Sequence, residues 1–449
     1  MESKSIIIIG GGPVGLSASI LLSLRHIPHI LFGRHTSTSI HPKACDINQR
    51  TTEIFRVMGI EDEAYAHAAR YAVVADGGRA LTEELGIGWV GERGIVDMVA
   101  AHFGTAALRS LHPDPRNFIT WFSSPAMGGS TRTGYLYQIG PRTLGFPGLP
   151  VEILGFSHWT VNAVYAEKYG AEKRVFLVGD TAHRIPPWGA LGMNTGIQDV
   201  QNLVWKLEFA LRDEERYDEP LDTYEVERLE VGRRVGQTSL RNMRMHSDVM
   251  DRALGVRADA SPEENWAAAA PFFDPEHPEH GAKRDAVARA QKILDSEFKA
   301  PGLEIGWFYP SVGVDDEGGE THGGQRLLDG SLNSEFYFPS TIPGHHLPHC
   351  VLEKDEKSVP IRDLLPLDAM ALFVEEPLPP RLVDGRMRVI LIGPNGYGNQ
   401  SGEWRRLCGI STSGGVLVRP DGIVAWRGEL AGFSAQAWVE LIDRVLHCN

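Results

Sequence analysis

Four β-branched residues, Ile6 to Ile9, are followed by a run of glycines and then by apolar residues at helical spacing over 16–24. That order predicts a buried strand over 6–9, a turn, and a helix packed on the strand. A second strand is predicted near 29–32 and a helix over 48–58. Farther on, the apolar stretch 175–178 ends in Gly179-Asp180 and a proline-glycine turn. Leu203, Leu207 and Leu211 then recur every four residues and predict helix from 198 to about 237. A further helix is expected over 283–298, and 118–122 and 134–139 read as strand pieces of a covering sheet. After Pro301 glycine, aromatic residues and short apolar runs take over, with 315–324 an acidic, glycine-rich linker. Strands follow over 389–392, 415–418 and 423–426, the last two joined by Arg419-Pro420-Asp421-Gly422. Ser434 caps a closing helix over 435–446.

Composition narrows the picture. At 449 residues, 42% hydrophobic and 23% charged, the chain is long enough for two or three domains with sizeable cores. A net charge of −14 without a lysine or arginine cluster argues against a nucleic-acid partner, and the pairs Arg233-Arg234 and Arg405-Arg406 read as solvated faces. Glycines and a proline break the first apolar run within ten residues, so neither a signal peptide nor a membrane span is expected there. Cys45, Cys350, Cys408 and Cys448 form no CxxC or metal-ligand spacing. No metal site is expected, and the cytoplasm is the default compartment.

Two stretches carry chemistry. Gly10, Gly12 and Gly15 give GxGxxG between a strand and a helix, the setting that motif requires: a tight turn, close backbone approach to a pyrophosphate, and helix packing on the strand. In 179–207, Asp180 at a strand end can accept from a sugar or polyol hydroxyl, Pro186 and Pro187 stiffen the turn, and Gly189 and Gly192 admit a ligand to the backbone. The following helix offers its positive end to anything electron-rich. A dinucleotide cradle without a metal-ligand cluster points to an organic cofactor in place of a metal.

These motifs, together with Asp76-Gly77-Gly78-Arg79, the run HPKACDINQRTTEIFRVMGI over 41–60 and GGVLVRPDGIVAWR over 414–427, resemble the FAD-dependent aromatic hydroxylases. Within these single-component flavoprotein monooxygenases, the likeness is to the phenol hydroxylase and chlorophenol monooxygenase branch. The resemblance implies an α/β fold: a Rossmann-like FAD-binding domain (1–90 and 168–212) with an inserted β-sheet substrate domain (91–167, shortened), a helical segment and linker (213–325), and a C-terminal thioredoxin-like domain (326–449). It implies FAD as cofactor, NADPH as co-substrate, dioxygen, and hydroxylation of a phenolic or polyketide-type aromatic substrate through a flavin hydroperoxide. A homodimer is the common arrangement among such relatives.

Carried over by that resemblance, Gly10, Gly12 and Gly15 face the pyrophosphate, and Gly179 and Asp180 the ribityl and phosphate region. Pro186, Gly189, Gly192, Met193 and Asn194 line the isoalloxazine. Arg34 and Arg50 partner the phosphates and adenosine end, and Asp76 belongs to the second cofactor motif. Asp46 is the candidate catalytic group that draws the proton from a phenol, with a turn aspartate as the plainer reading. His183 reads as a packing and hydrogen-bonding residue, Trp188, Tyr135 and Tyr137 as core aromatics that could touch substrate, and Cys45 as a small apolar residue.

The chain also departs from its family. Gly33 stands where relatives place an acidic residue for the adenosine ribose, a loss of about 1.5 to 3 kcal/mol in FAD binding. Cys45 replaces an arginine. Residues 61–75 stand where relatives carry a long insertion, and a stretch of roughly five nanometres at full extension cannot supply its elements. The expectation is a sheet short of one strand, and the competing reading is a truncated, weakly active or inactive remnant acting as a binding or structural protein. Baeyer-Villiger oxidation is the alternative within the enzyme class.

Overall fold

Along the chain the first strands are β1 (Ile6–Ile9), β2 (His29–Phe32), β3 (Tyr71–Val74), β4 (Trp89–Gly104), β5 (Ile119–Trp121), β6 (Tyr135–Tyr137), β7 (Glu152–Ala166), β8 (Gly170–Ala171), β9 (Val175–Leu177) and β10 (His183–Arg184). The computed structural model describes residues 6–33, 54, 71–75, 77, 81–104, 119–121, 135–137, 152–171, 174–217, 219–309 and 320–446. β1 buries Ile6 and Ile8 and pairs in parallel with β2 on one side and β3 on the other. β3 pairs in parallel with β9, and β8 closes that edge antiparallel, giving the order β2-β1-β3-β9-β8. The shortening before Asp76 therefore leaves the four parallel strands contiguous: Tyr71–Val74 supplies the central strand. This corrects the expected missing strand.

Helix α1 (Pro13–Leu24) covers the sheet with Ala18, Leu21 and Leu22, the face set by three- and four-residue spacing. Helix α2 (Leu191–Arg212) lies in the same core, and α3 (Glu219–Met245) packs on it, with Tyr224 Oη donating to Leu177 O at 2.6 Å. The helical stretch expected over 198 to about 237 is thus divided between two long helices. Asp213, extended at φ −156°, ends the first. The helix expected over 283–298 runs His280–Leu294 (α5) after α4 (Pro262–Phe273) and gives way to a 3-10 turn, Asp295–Phe298.

The covering sheet differs more. β4 and β7 form a long antiparallel ribbon, extended by β10, whereas the expected strand pieces reduce to the separate pair β5 and β6. The ribbon was not read because Glu92, Arg93 and Asp97 interrupt its apolar positions, and they are exposed.

The C-terminal unit holds β11 (Val351–Lys354), β12 (Lys357–Pro360), β13 (Met370–Val374), β14 (Met387–Leu391), β15 (Gly414–Val418) and β16 (Val424–Glu429), with the main sheet ordered β14-β13-β15-β16. The fully apolar β13, unread in the sequence, is one of its two inner strands. Helix α6 (Ala435–Val445) buries Trp438, Leu441, Ile442 and Val445 on it, and Ser434 Oγ accepts from the Ala437 N–H at 3.1 Å. Cys350 and Cys408 are buried and free, and burial pushes the Cys350 thiol up to about 12. Among the described residues no group of three potential ligands could hold a metal, and no helix is long and apolar enough to cross a membrane.

Candidate active site

The two glycine turns meet on one side chain. Gly10, at φ 121°, turns the chain at the end of β1 and donates its N–H to Phe32 O at 2.8 Å. A Cβ on Gly15 would fall 1.9 Å from Gly10 O, so only glycine lets α1 lie this close to the strand end. A Cβ on Gly12 would meet nothing within 4 Å. Gly12 is the N-cap of α1 and brings no capping side chain, so open space lies beside unsatisfied helix N–H groups.

Opposite, β9 runs out into a 3-10 turn, Gly179–Thr181, with Asp180 exposed. A Cβ on Gly179 would stand 3.1 Å from Val14 Cγ2, and one on Gly196 of α2 would stand 2.7 Å from the same atom and 2.8 Å from Gly179 Cα. Val14 is thus wedged between the two motifs, and Gly196 lets α2 close on both.

After β10, Pro186, Pro187 and Trp188 lead to Gly189 at φ 94° and Ala190 at φ 54°. A left-handed alanine costs roughly 1 kcal/mol or more. It is held by its own N–H donating to Pro187 O at 3.0 Å and by Asn194 Nδ2 donating to Ala190 O at 2.8 Å. Ala190 is the N-cap of α2 and brings no capping side chain either. Gly192 and Met193 are half-buried and Asn194 buried in the first turn.

Asp199, one turn past Gly196, braces this wall. Its carboxylate accepts the Gly179 N–H at 3.1 Å, His183 Nε2–H at 2.7 Å and Arg228 Nε–H at 2.8 Å. All three side chains are fully buried. Burial opposes the charge of Asp199, but His183 and Arg228 outweigh it and hold the carboxyl below its ordinary range. His183 is therefore a positioned hydrogen-bonding residue, and its Nδ1 has no hydrogen-bond partner among the described residues.

An apolar cluster adjoins the turn. Trp188, Val161 of β7 and Met243 of α3 are buried together, with Met98, Trp159 and Leu240 packed against them. Only the backbone of Tyr135 and Tyr137 is described. Arg34, Cys45, Asp46, Arg50 and Asp76 lie outside the described residues. Gly33 is exposed, its Cα 3.7 Å from where a Cβ on Gly11 would stand, beside the glycine turn. Two expected solvated pairs are mixed: Arg233 is half-exposed on Glu230, whereas burial pulls the Arg234 guanidinium down to about 10. Arg405 is partly buried on Glu375.

An FAD binding domain family matches residues 3–71 and 133–239, and the aromatic-ring hydroxylase C-terminal family matches 340–447. The chain belongs to the FAD-dependent aromatic hydroxylases. Within them this hydroxylase sides with the phenol and chlorophenol monooxygenases. It is 25% identical to a phenol 2-monooxygenase of Pseudomonas sp. (strain EST1001) over 554 aligned positions, covering 94% of this chain and 90% of the relative. That alignment is longer than the 449 residues present, so the relative carries segments this hydroxylase lacks. A Streptomyces halstedii relative, 24% identical over 94% of this chain and 93% of its own length, is named as a polyketide hydroxylase. The crystal structure of the flavin-dependent monooxygenase PieE in complex with FAD and substrate superposes with a TM-score of 0.85 at 26% identity, covering 99% of each chain.

This hydroxylase is an FAD-dependent monooxygenase, and NADPH is the co-substrate typical of the family. Its residues fit the cofactor: Gly12 leaves the space, two uncapped helix N-termini supply donors, and Asp180 is presented at the strand end. The reading as a remnant is not favoured. Sequence reasoning missed Val14, Gly196, Asp199 and Arg228. The signal for Gly196 and Asp199 was present, since both lie in the quoted 179–207 run at three-residue spacing on one helix face.

Proposed function

We propose that this hydroxylase inserts one atom of dioxygen into a phenolic ring, of simple phenol or polyketide type, held against the apolar cluster between the β4–β7 ribbon and α3. FAD, when bound, supplies dioxygen activation with electrons from NADPH. Gly10, Gly12 and Gly15 with the start of α1 receive the pyrophosphate. Asp180, on its Gly179 turn, accepts from ribityl hydroxyls. Pro186, Gly189, Gly192, Met193 and Asn194 form the wall against the ring system, where the positive end of α2 favours negative charge. Arg34 and Arg50 serve the phosphates and adenosine, and Asp76 the second motif. Asp46 draws the phenolic proton, which makes the ring a better nucleophile. Trp188, Val161 and Met243 exclude water and bound the ring. Domain limits of 1–90 with 168–212, 91–167, 213–325 and 326–449 go with this reading.

The observation that carries it is Val14, in reach of both Gly179 and Gly196, which brings the two glycine turns to one place, with the apolar cluster of Trp188, Val161 and Met243 beside the second. The test is a titration of purified protein with FAD, then NADPH oxidation with a panel of phenols and fused-ring polyphenols under ¹⁸O-labelled dioxygen. Expected are a stoichiometric flavin spectrum and one labelled oxygen in a hydroxylated product. Protein that takes up no FAD, or a lactone in place of a phenol, overturns the reading.

A further inference from the structure

The turn Arg419-Pro420-Asp421-Gly422 between β15 and β16 faces the FAD-binding core. Arg419 is 1% and Asp421 3% exposed. Arg419 Nη1 and Nη2 donate to the two oxygens of Glu227 on α3 at 2.6 and 2.9 Å, a bidentate fork, while its Nε and Nη2 reach Asp421 at 3.1 and 2.5 Å. Glu227 Oε2 also accepts Lys206 Nζ at 2.7 Å and Asn202 Nδ2 at 2.6 Å from α2. Asn202 Nδ2 reaches Asp421 Oδ2 and Tyr309 Oη, both at 3.2 Å. Arg228, next to Glu227 in the chain, donates Nη1 to the same Tyr309 oxygen at 3.4 Å, Nη2 to Thr195 O at 3.2 Å, and Nε to Asp199. Asp199 receives the Gly179 N–H. An unbroken path of hydrogen bonds runs from the C-terminal hairpin to the turn that presents Asp180.

The charges on that path balance. Lys206, Arg228 and Arg419 face Asp199, Glu227 and Asp421, all buried. Arg419 and Asp421 cancel each other, so the C-terminal domain inserts a neutral pair whose contribution is orientation: a planar fork fixes the Glu227 carboxylate, where an ammonium would only neutralise it.

We propose that the Arg419–Asp421 pair is a positioning element of the flavin wall: it locks Glu227 and, through Asn202, Tyr309 and Arg228, fixes Asp199 and the Gly179–Asp180 turn. This gives a task to a thioredoxin-like domain without a dithiol. Its relevance to catalysis rests on the flavin reading above, while the mechanical coupling is measurable without flavin.

The test is the full-length double variant Arg419→Met with Asp421→Asn. Glu227–Lys206 and Asp199–Arg228 stay balanced, and asparagine keeps an acceptor for the Ile423 N–H. In FAD-free protein, amide hydrogen exchange over 179–196 is expected to quicken at least about tenfold, and FAD to bind about tenfold more weakly with an altered visible circular dichroism band. Exchange changes confined to 414–429, with FAD affinity and band unchanged, overturn the proposal. Should the double variant not fold, Arg419→Lys decides. It keeps the charge and loses the fork, so faster exchange over 179–196 supports positioning, and wild-type exchange there overturns it. Wild-type protein that binds no FAD sinks the flavin reading and leaves the exchange result standing.

Discussion

A Cβ placed on Gly15 would stand 1.9 Å from the carbonyl oxygen of Gly10, a backbone atom that cannot step aside. The helix and the strand end are held at the closest distance that two backbones without a side chain allow. Gly15→Ala is therefore expected to push α1 away from the turn and to cost about 1 to 3 kcal/mol of stability. FAD affinity should fall with it. Thermal unfolding of the FAD-free protein and a flavin titration check both; an alanine variant with wild-type affinity contradicts the geometry.

Glu227 makes acid stability specific. Burial opposes its charge, but Arg419 and Lys206 hold its pKa down from 4.5 to about 2. A carboxyl with a lowered folded pKa adds stability that is fully present above its unfolded pKa and is lost as pH falls through the folded one. The window is therefore about pH 4.5 down to 2, and the amount is about 3 kcal/mol. Glu227→Gln should flatten that part of the stability curve. At neutral pH it should cost about 3 to 5 kcal/mol, because it strands the buried Lys206 ammonium, whereas Arg419 keeps Asp421. Denaturant melts between pH 2 and 8 give the answer.

Gly33 sits exposed beside the glycine turn, where the adenosine end of the cofactor is read to lie. Gly33→Glu is expected to tighten FAD binding roughly ten- to a hundredfold, by adding a charge-assisted acceptor for ribose hydroxyls. Unchanged or weaker binding in an isothermal titration places the adenosine elsewhere.

Trp188 packs the turn before α2 against Val161 and Met243. Trp188→Ala should lose about 3 to 5 kcal/mol of stability. Trp188→Phe, which keeps most of the ring, should stay folded, raise KM for a phenol more than it lowers kcat, and release more hydrogen peroxide per NADPH. Equal peroxide yields in the Phe variant and wild type would take the indole out of the substrate wall.

Local chemistry was the readable part of this chain. Gly10 to Gly15, the Gly179–Asp180 turn, the hairpin at Arg419 to Gly422 and the Ser434 cap each depend on neighbours a few residues away, and each folds as the sequence implies. The β4–β7 ribbon was not readable, because exposed Glu92, Arg93 and Asp97 break the apolar alternation that marks a strand. β13 reads Met-Ala-Leu-Phe-Val without alternation, since both its faces are covered. The site's bracing was the least legible. Asp199 finds Arg228 after 29 residues and Arg419 finds Glu227 across 192, distances over which a sequence lists charges without pairing them.

From Asn194 to Ala210 every residue of α2 is buried, whether apolar, polar or charged. A helix with no wet side offers natural variation no position where a change is free, and offers an engineer no handle. If the ring lies as proposed, changes of substrate preference fall to the β4–β7 ribbon and the turn around Trp188, with α2 as the fixed reference against which they are aligned.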